Sequence, residues 1–150
     1  MTANATALRQ DAMRTLAGAR REELETALAQ SGLARNYTIV RSPEIGLVMV
    51  RGRMGGDGQA FNAGEATVTR AVVRLCDGTL GYSYLLGRDA RRAELAALVD
   101  ALWQQPEARS AVERDVLAPI RARIAADEQA RCAKVAATRV EFFTMQRGED

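Results

Sequence analysis

The stretch from Arg41 to Gly87 constrains the fold of this chain more than any other. It contains nine of the twelve glycines, the longest apolar run and an Asp77-Gly78 pair. An Asp-Gly pair between alternating apolar residues is a strong hairpin signal, and it predicts a type I′ turn with a two-residue loop. We therefore expect an α+β fold in which helices precede and follow an antiparallel meander of about four strands, at 37–41, 45–53, 65–76 and 79–86.

The Asp77-Gly78 turn also predicts which residues oppose each other in the last hairpin. A two-residue loop places Cys76 opposite Thr79, so that Val73 meets Tyr82 on an apolar face. We assign that face to the core, because the register of a hairpin decides which side chains are buried. The opposite face then mixes arginine with apolar side chains, namely Arg70, Val72, Arg74 and Leu85.

Two pairs of arginines share strand faces in this scheme. Arg70 and Arg74 lie on one strand, and Arg51 and Arg53 lie on its neighbour. Such guanidinium groups can bind a polyphosphate, or they can form ion pairs with acidic residues of a partner or of this chain's own helices. We favour ion pairs, because apolar side chains lie between the arginines, as in an interface with charged anchors.

A long glycine-rich loop follows the second strand and reaches Gly64. Its spacing matches neither the GxGxxG nor the Walker pattern. Glycine N–H groups can approach a phosphate, but glycines also supply the positive φ that a hairpin loop needs, and we favour this structural interpretation. The candidate ligand-binding residues from the loop and the arginine pairs are Arg51, Arg53, Gly55, Gly56, Gly58, Arg70 and Arg74.

The strand at 45–53 is apolar on both faces. Leu47 and Met49 lie on one side, and Val48 and Val50 lie on the other. A strand with this pattern is expected to be covered on both faces. In a chain of 150 residues, we expect one of the two covers to come from another subunit.

The remaining segments complete a single domain that spans residues 1–150. Helices at 7–31 either pack as a hairpin on the sheet, which we favour, or form an arm that grasps a partner. The helices at 89–137 begin at the N-cap Asp89 with an apolar stripe that faces the sheet. The tail at 139–150 holds two phenylalanines that should be buried, as a docked strand or in another subunit. The candidate interface residues are Val72, Leu85, Phe142 and Phe143.

Composition excludes several classes of function. The chain has no histidine, and Cys76 and Cys132 are too far apart in sequence for a CxxC motif. We therefore assign no catalytic and no metal-binding residue, and we expect an assembly role rather than independent catalysis. A net charge of +2 does not indicate nucleic-acid binding. The absence of a signal sequence or membrane span predicts a cytoplasmic protein.

Four motifs follow one another along the chain: RGRMGGDG, FNAGEATVTR, GYSYLLGRD and FFTM. In this order and spacing they resemble the PhnG family, the small G subunit of the bacterial carbon–phosphorus lyase core complex. The resemblance covers nearly the whole chain. It implies an accessory role in organic phosphonate catabolism.

The resemblance also implies what the complex does. The G, H, I and L subunits are associated with a transfer that displaces adenine from ATP, giving α-D-ribose 1-methylphosphonate 5-triphosphate from methylphosphonate. The implied partners are PhnI-, PhnH- and PhnJ-type subunits, with a PhnL-type protein in the pathway. ATP and Mg²⁺ are expected as substrates of the complex, with no cofactor held by this chain. The resemblance carries no catalytic residue over to this sequence.

Overall fold

The computed structural model describes residues 2–33, 36–55 and 57–138, and its fold class is α+β, as predicted. The candidates Gly56, Phe142 and Phe143 lie outside the described residues. No helix in the described part of the chain is long and apolar enough to cross a bilayer. The elements are α1 (Thr2–Ala17), α2 (Arg21–Gln30), β1 (Tyr37–Arg53), β2 (Ala60–Leu75), β3 (Leu80–Leu86), α3 (Ala90–Gln104), α4 (Pro106–Ala111), a π-helical segment (Val112–Leu117) and α5 (Ala118–Ala137).

The described sheet has three antiparallel strands in the order β1-β2-β3, rather than about four. The first two predicted strands form the continuous strand β1, so the predicted break between them at residues 42–44, which include Pro43, is wrong. Irregularities between Ile39 and Glu44 absorb the extra residues as bulges. Because β1 is an edge strand with a bulge at this point, it tolerates the proline.

The β2–β3 hairpin differs from the prediction by one residue in register. Leu75 donates its N–H to Thr79 O at 2.9 Å, and Gly78 donates to Leu75 O at 3.0 Å. This pattern closes a three-residue loop in which Gly78 has φ +91°, whereas Asp77 does not have the positive φ that a type I′ turn requires. The shift pairs Val72 with Tyr82.

The one-residue shift exchanges the two faces of β3. Gly81, Ser83 and Leu85 face the core, and Tyr82 and Tyr84 are exposed on the outer face. The prediction that Leu85 lies on the arginine face is therefore wrong. Leu85 is only 3% exposed and belongs to the hydrophobic core of this chain.

Helix α3 packs directly on the backbone of β3. Its N-cap is Asp89, whose side chain accepts the Arg92 N–H at 2.9 Å, as predicted. A Cβ atom added to Gly81 would lie only 2.0 Å from Ala97 O and 2.7 Å from the Ala101 Cβ. Only glycine fits such an approach. The predicted apolar stripe is buried beneath this contact, at Leu95, Leu98, Val99 and Leu102.

Asp100 of α3 links α3 to β3 and α1 at this contact. Its carboxylate is 1% exposed and accepts the backbone N–H of Tyr82 at 2.9 Å. It also accepts two hydrogen bonds from Arg9 of α1, from Nε at 2.9 Å and Nη2 at 2.7 Å. The hydrogen bond to Asp100 raises the pKa of Arg9. A buried carboxylate is tolerated here because it is paired and hydrogen-bonded.

The N-terminal helices belong to the core. Leu16, Leu24 and Leu28 are buried, and both helices pack on α3, with further contacts from α1 to β3 and from α2 to the π-helical segment. Arg123 of α5 holds the junction between the two helices by donating to Glu23 at 2.8 Å and to Gly18 O at 2.8 Å. Both helices therefore pack on the body of the chain rather than extend as an arm, but they make few contacts with each other, so they do not form the predicted hairpin.

Replacement of Gly81 by alanine should destabilise the chain, because its Cβ would collide with the α3 backbone. We expect a loss of about 3 kcal/mol or more in the free energy of unfolding, at the upper end of overpacking effects. Urea denaturation measures this loss. Gly46→Ala is the matched control, since a Cβ at Gly46 meets nothing within 4 Å. Equal stability of the two variants would contradict the close packing at Gly81.

Candidate partner-binding surface

The distal parts of β1 and β2 form a two-stranded ribbon, which we define as residues 45–53 and 60–67. Ile45, Leu47 and Met49 on one face of the ribbon are 56%, 62% and 53% exposed. On the other face, Val50 is exposed as well. Covers for both faces were expected, and within the described residues this chain supplies neither. A cover from another subunit remains a prediction.

The tip of the ribbon is a tight turn. Gly55 has φ +63°, and Gly58 donates its N–H to Met54 O at 3.1 Å. The Gly58 N–H is thereby engaged within the turn. These observations support the structural interpretation of the glycines at positions 55 and 58. Met54 and Phe61 are also exposed near the tip, which extends the apolar surface of the ribbon.

Arg51 and Arg53 share the face of Ile45, Leu47 and Met49. The extra residue at the Val50–Arg51 irregularity lies in β2, so the alternation of β1 side chains continues unbroken. We call this face the inner face, because Ile45 pairs with the buried Thr69 on the core side of the sheet. Neither arginine forms an ion pair with any of the described residues.

Arg70 and Arg74 lie on the opposite, outer face of the sheet. Arg70 donates to the Glu44 carboxylate from Nε at 3.0 Å, and its Nη2 lies 3.0 Å from the same oxygen. Both partners are about half exposed, so this pair contributes little to stability. The structure thus places the four candidate arginines on two faces, and they cannot surround one common polyphosphate.

Two tyrosines of β3 line the outer face, and one of them, Tyr82, was predicted to face the core. Tyr82 and Tyr84 border a hollow of about 650 Å³ that also contains Val72 and Arg41. The guanidinium carbon of Arg9 lies 6.0 Å from the ring centroid of Tyr82. The hollow therefore combines aromatic and cationic groups. A prediction that assumed a three-residue loop at Asp77-Gly78 would have placed both tyrosines on the outer face.

The described residues offer no obvious metal centre. No group of three or more His, Cys, Asp or Glu side chains could hold an ion in the parts of the chain that the structure describes. Cys76 and Cys132 are both free and exposed. The outstanding feature of this part of the chain is consequently the uncovered apolar ribbon, which has the character of an interaction surface.

The exposed apolar ribbon of the isolated chain should bind a hydrophobic dye such as ANS. The triple variant Ile45→Thr, Leu47→Thr, Met49→Thr should lose most of the dye binding and remain monomeric in analytical ultracentrifugation. Its free energy of unfolding should change by only about 0.5 kcal/mol per site, because the side chains are exposed. Val135→Thr, at a separate exposed apolar side chain on α5, should change neither property. Unchanged dye binding in the triple variant would contradict the exposure of the ribbon.

Comparison with known proteins places the chain in a family. The family model "Phosphonate metabolism protein PhnG" matches residues 7–148. A protein of Rhizobium meliloti (strain 1021), the "Alpha-D-ribose 1-methylphosphonate 5-triphosphate synthase subunit PhnG", is 49% identical over 144 residues, which cover 96% of this chain and 92% of the relative. The match to the family model spans the helices, the sheet and the ribbon. The chain therefore belongs to the PhnG family of phosphonate metabolism proteins.

Proposed function

We propose that the chain is an accessory subunit of the carbon–phosphorus lyase complex in organic phosphonate catabolism. With partner subunits, it is required to form α-D-ribose 1-methylphosphonate 5-triphosphate from ATP and methylphosphonate, with release of adenine. The Rhizobium meliloti relative, which is named as a subunit of the synthase for this compound, supports the proposal. The single structural observation that carries it is the ribbon, whose apolar side chains remain exposed on both faces.

The proposed partners are PhnI-, PhnH- and PhnJ-type subunits, with a PhnL-type protein in the pathway. ATP and Mg²⁺ are substrates of the complex, which works in the cytoplasm, and this chain holds no complete active site. The family resemblance supports these assignments. The lack of histidine supports the assignment of catalysis to another subunit, since the commonest general base is missing from the sequence. A neighbouring subunit then supplies the proton transfers.

A second candidate function is a direct contribution to the ATP or phosphonate site. The outer-face hollow favours it, because Tyr82 and Tyr84 lie beside Arg41 and Arg70. Aromatic rings and guanidinium groups suit a nucleotide base and its phosphates. Against it, Arg70 is already paired with Glu44. A free-standing anion-binding module is the third alternative, and calorimetry of the isolated chain with ATP tests it.

Coexpression with the PhnI-type subunit should yield a complex that co-purifies through size-exclusion chromatography. The apolar ribbon provides the reason, because its burial in an interface removes about 25 cal/mol of unfavourable free energy per Å² of apolar area. The triple threonine variant of the ribbon should reduce recovery of the complex, whereas Val135→Thr should not. Separate elution of the two wild-type chains after coexpression would contradict the proposal.

Substitution of the outer-face arginines separates the accessory role from the catalytic alternative. In the complex that carries Arg70→Gln and Arg74→Gln, adenine release per assembled complex should stay within about twofold of wild type, because an accessory role leaves the active site intact. A loss of about 100-fold in an intact complex would favour direct contact with substrate, as for a missing charge-stabilising group. Size-exclusion chromatography of the same samples confirms assembly.

A further inference from the structure

The two edges of the sheet differ in how their backbone groups are satisfied. At the β3 edge, Tyr82 N–H donates to Asp100 and Leu80 O accepts from Gln104 at 2.8 Å. Leu86 O accepts from Arg92 Nη2 at 2.9 Å. Helix α3 therefore closes this edge with its side chains. In the described part of the chain, no other element sends a hydrogen bond to the edge of β1 that faces away from β2 along residues 45–53.

The hydrogen bonds of β2 identify which β1 backbone groups face that open edge. Thr67 O accepts from Gly87 N–H, and Leu75 N–H donates to Thr79, so odd-numbered residues of β2 from Thr67 onward direct their backbone groups towards β3. Along each strand of an antiparallel ladder, the backbone N–H and C=O groups of successive residues point alternately to the two sides of the strand. Ile45 and Leu47 oppose Thr69 and Thr67, and their N–H and C=O groups therefore point away from β2. The same alternation along β1 extends to residues 49, 51 and 53.

The open backbone groups and the exposed side chains belong to the same residues. Ile45, Leu47 and Met49 present apolar side chains on the inner face, followed by the arginines at positions 51 and 53. An added strand would thus find main-chain hydrogen bonds, an apolar row and two cations without acidic partners among the described residues. A long apolar edge with these properties is a template for strand addition.

A second copy of the chain does not complement this edge. In an antiparallel pair of two β1 edges, inner-face residues oppose inner-face residues. The inner face of residues 45–53 contains only Ile45, Leu47, Met49, Arg51 and Arg53. Pairing of residues 45–53 with the same residues of a second copy therefore offers no carboxylate to either arginine. Among the described residues, the β1 edge of a second copy does not supply the acidic groups that Arg51 and Arg53 lack, and a partner with acidic residues does.

We propose that an extended segment of a partner subunit adds as an antiparallel strand to the open edge of β1 along residues 45–53. The segment has apolar side chains opposite Ile45, Leu47 and Met49, and two carboxylates separated by one residue opposite Arg51 and Arg53. This proposal rests on the proposed function, because it needs a partner subunit. It adds the mode of binding and the chemistry of the bound segment.

Hydrogen exchange with residue-level resolution tests the proposal on the isolated chain and on the complex purified after coexpression of the partner subunits. In the isolated chain, the amides of Ile45, Leu47 and Met49 should exchange much faster than that of Val48, which bonds to β2. In the complex, the three fast amides should become protected. If the complex forms and they stay fast, strand addition is wrong and the accessory function stands. If no complex forms, both proposals fail.

Two pairs of variants give an independent readout, the recovery of the complex by affinity capture. Leu47→Pro should lower recovery about tenfold relative to Leu47→Ala. Both variants lose the leucine side chain, but only proline removes the backbone N–H that points away from β2. An edge strand tolerates proline where its N–H faces solvent, and circular dichroism checks the fold. Arg51→Glu with Arg53→Glu should likewise reduce recovery, whereas Arg88→Glu, at another exposed arginine, should not. Equal recovery of the proline and alanine variants would overturn the main-chain pairing.

Discussion

The contact between α3 and β3 is the constraint on which the rest of the structure depends. Gly81 brings the two backbones together, and the buried Asp100 carboxylate bonds both Tyr82 N–H and Arg9. Helix α3 is thereby fixed to the sheet and to α1 at the same point. Removal of Arg9 alone would leave a buried charge with fewer partners, which costs more than the loss of an exposed ion pair. The seam also closes one edge of the sheet, so the asymmetry between the two edges originates here.

The same seam explains why sequence reasoning identified the elements but misassigned the register. The hairpin at Asp77-Gly78, the N-cap Asp89 and the buried stripe of α3 follow from local chemistry, and the structure confirms them. Asp-Gly is compatible with both a two-residue and a three-residue loop, and local signals do not choose between them. The choice depends on Gly81 meeting Ala97, a tertiary contact. Local patterns likewise gave no sign that Arg9 pairs with Asp100, which lies 91 positions away.

The candidate site was predictable in its residue types and not in its geometry. The apolar character of both faces at 45–53 is legible in the sequence, but only the structure shows that no described part of this chain covers them. The bulges near Pro43 and at Val50–Arg51 shift one strand against its neighbour. Counting alone could therefore not show that Arg51 and Arg70 lie on opposite faces. The pathway came from the family motifs, because the side chains alone define no reaction.

An exposed apolar ribbon promotes aggregation of an isolated chain, whereas in a subunit it provides a surface that binds a partner. Its exposure is the central reason to regard this PhnG-family chain as one component of an assembly. The most direct measurement is a cryo-electron microscopy structure of the complex isolated from the native cells. The account predicts that residues 45–53 lie against another polypeptide, with carboxylates near Arg51 and Arg53. A map in which both faces and the edge of the ribbon remain in solvent would contradict it.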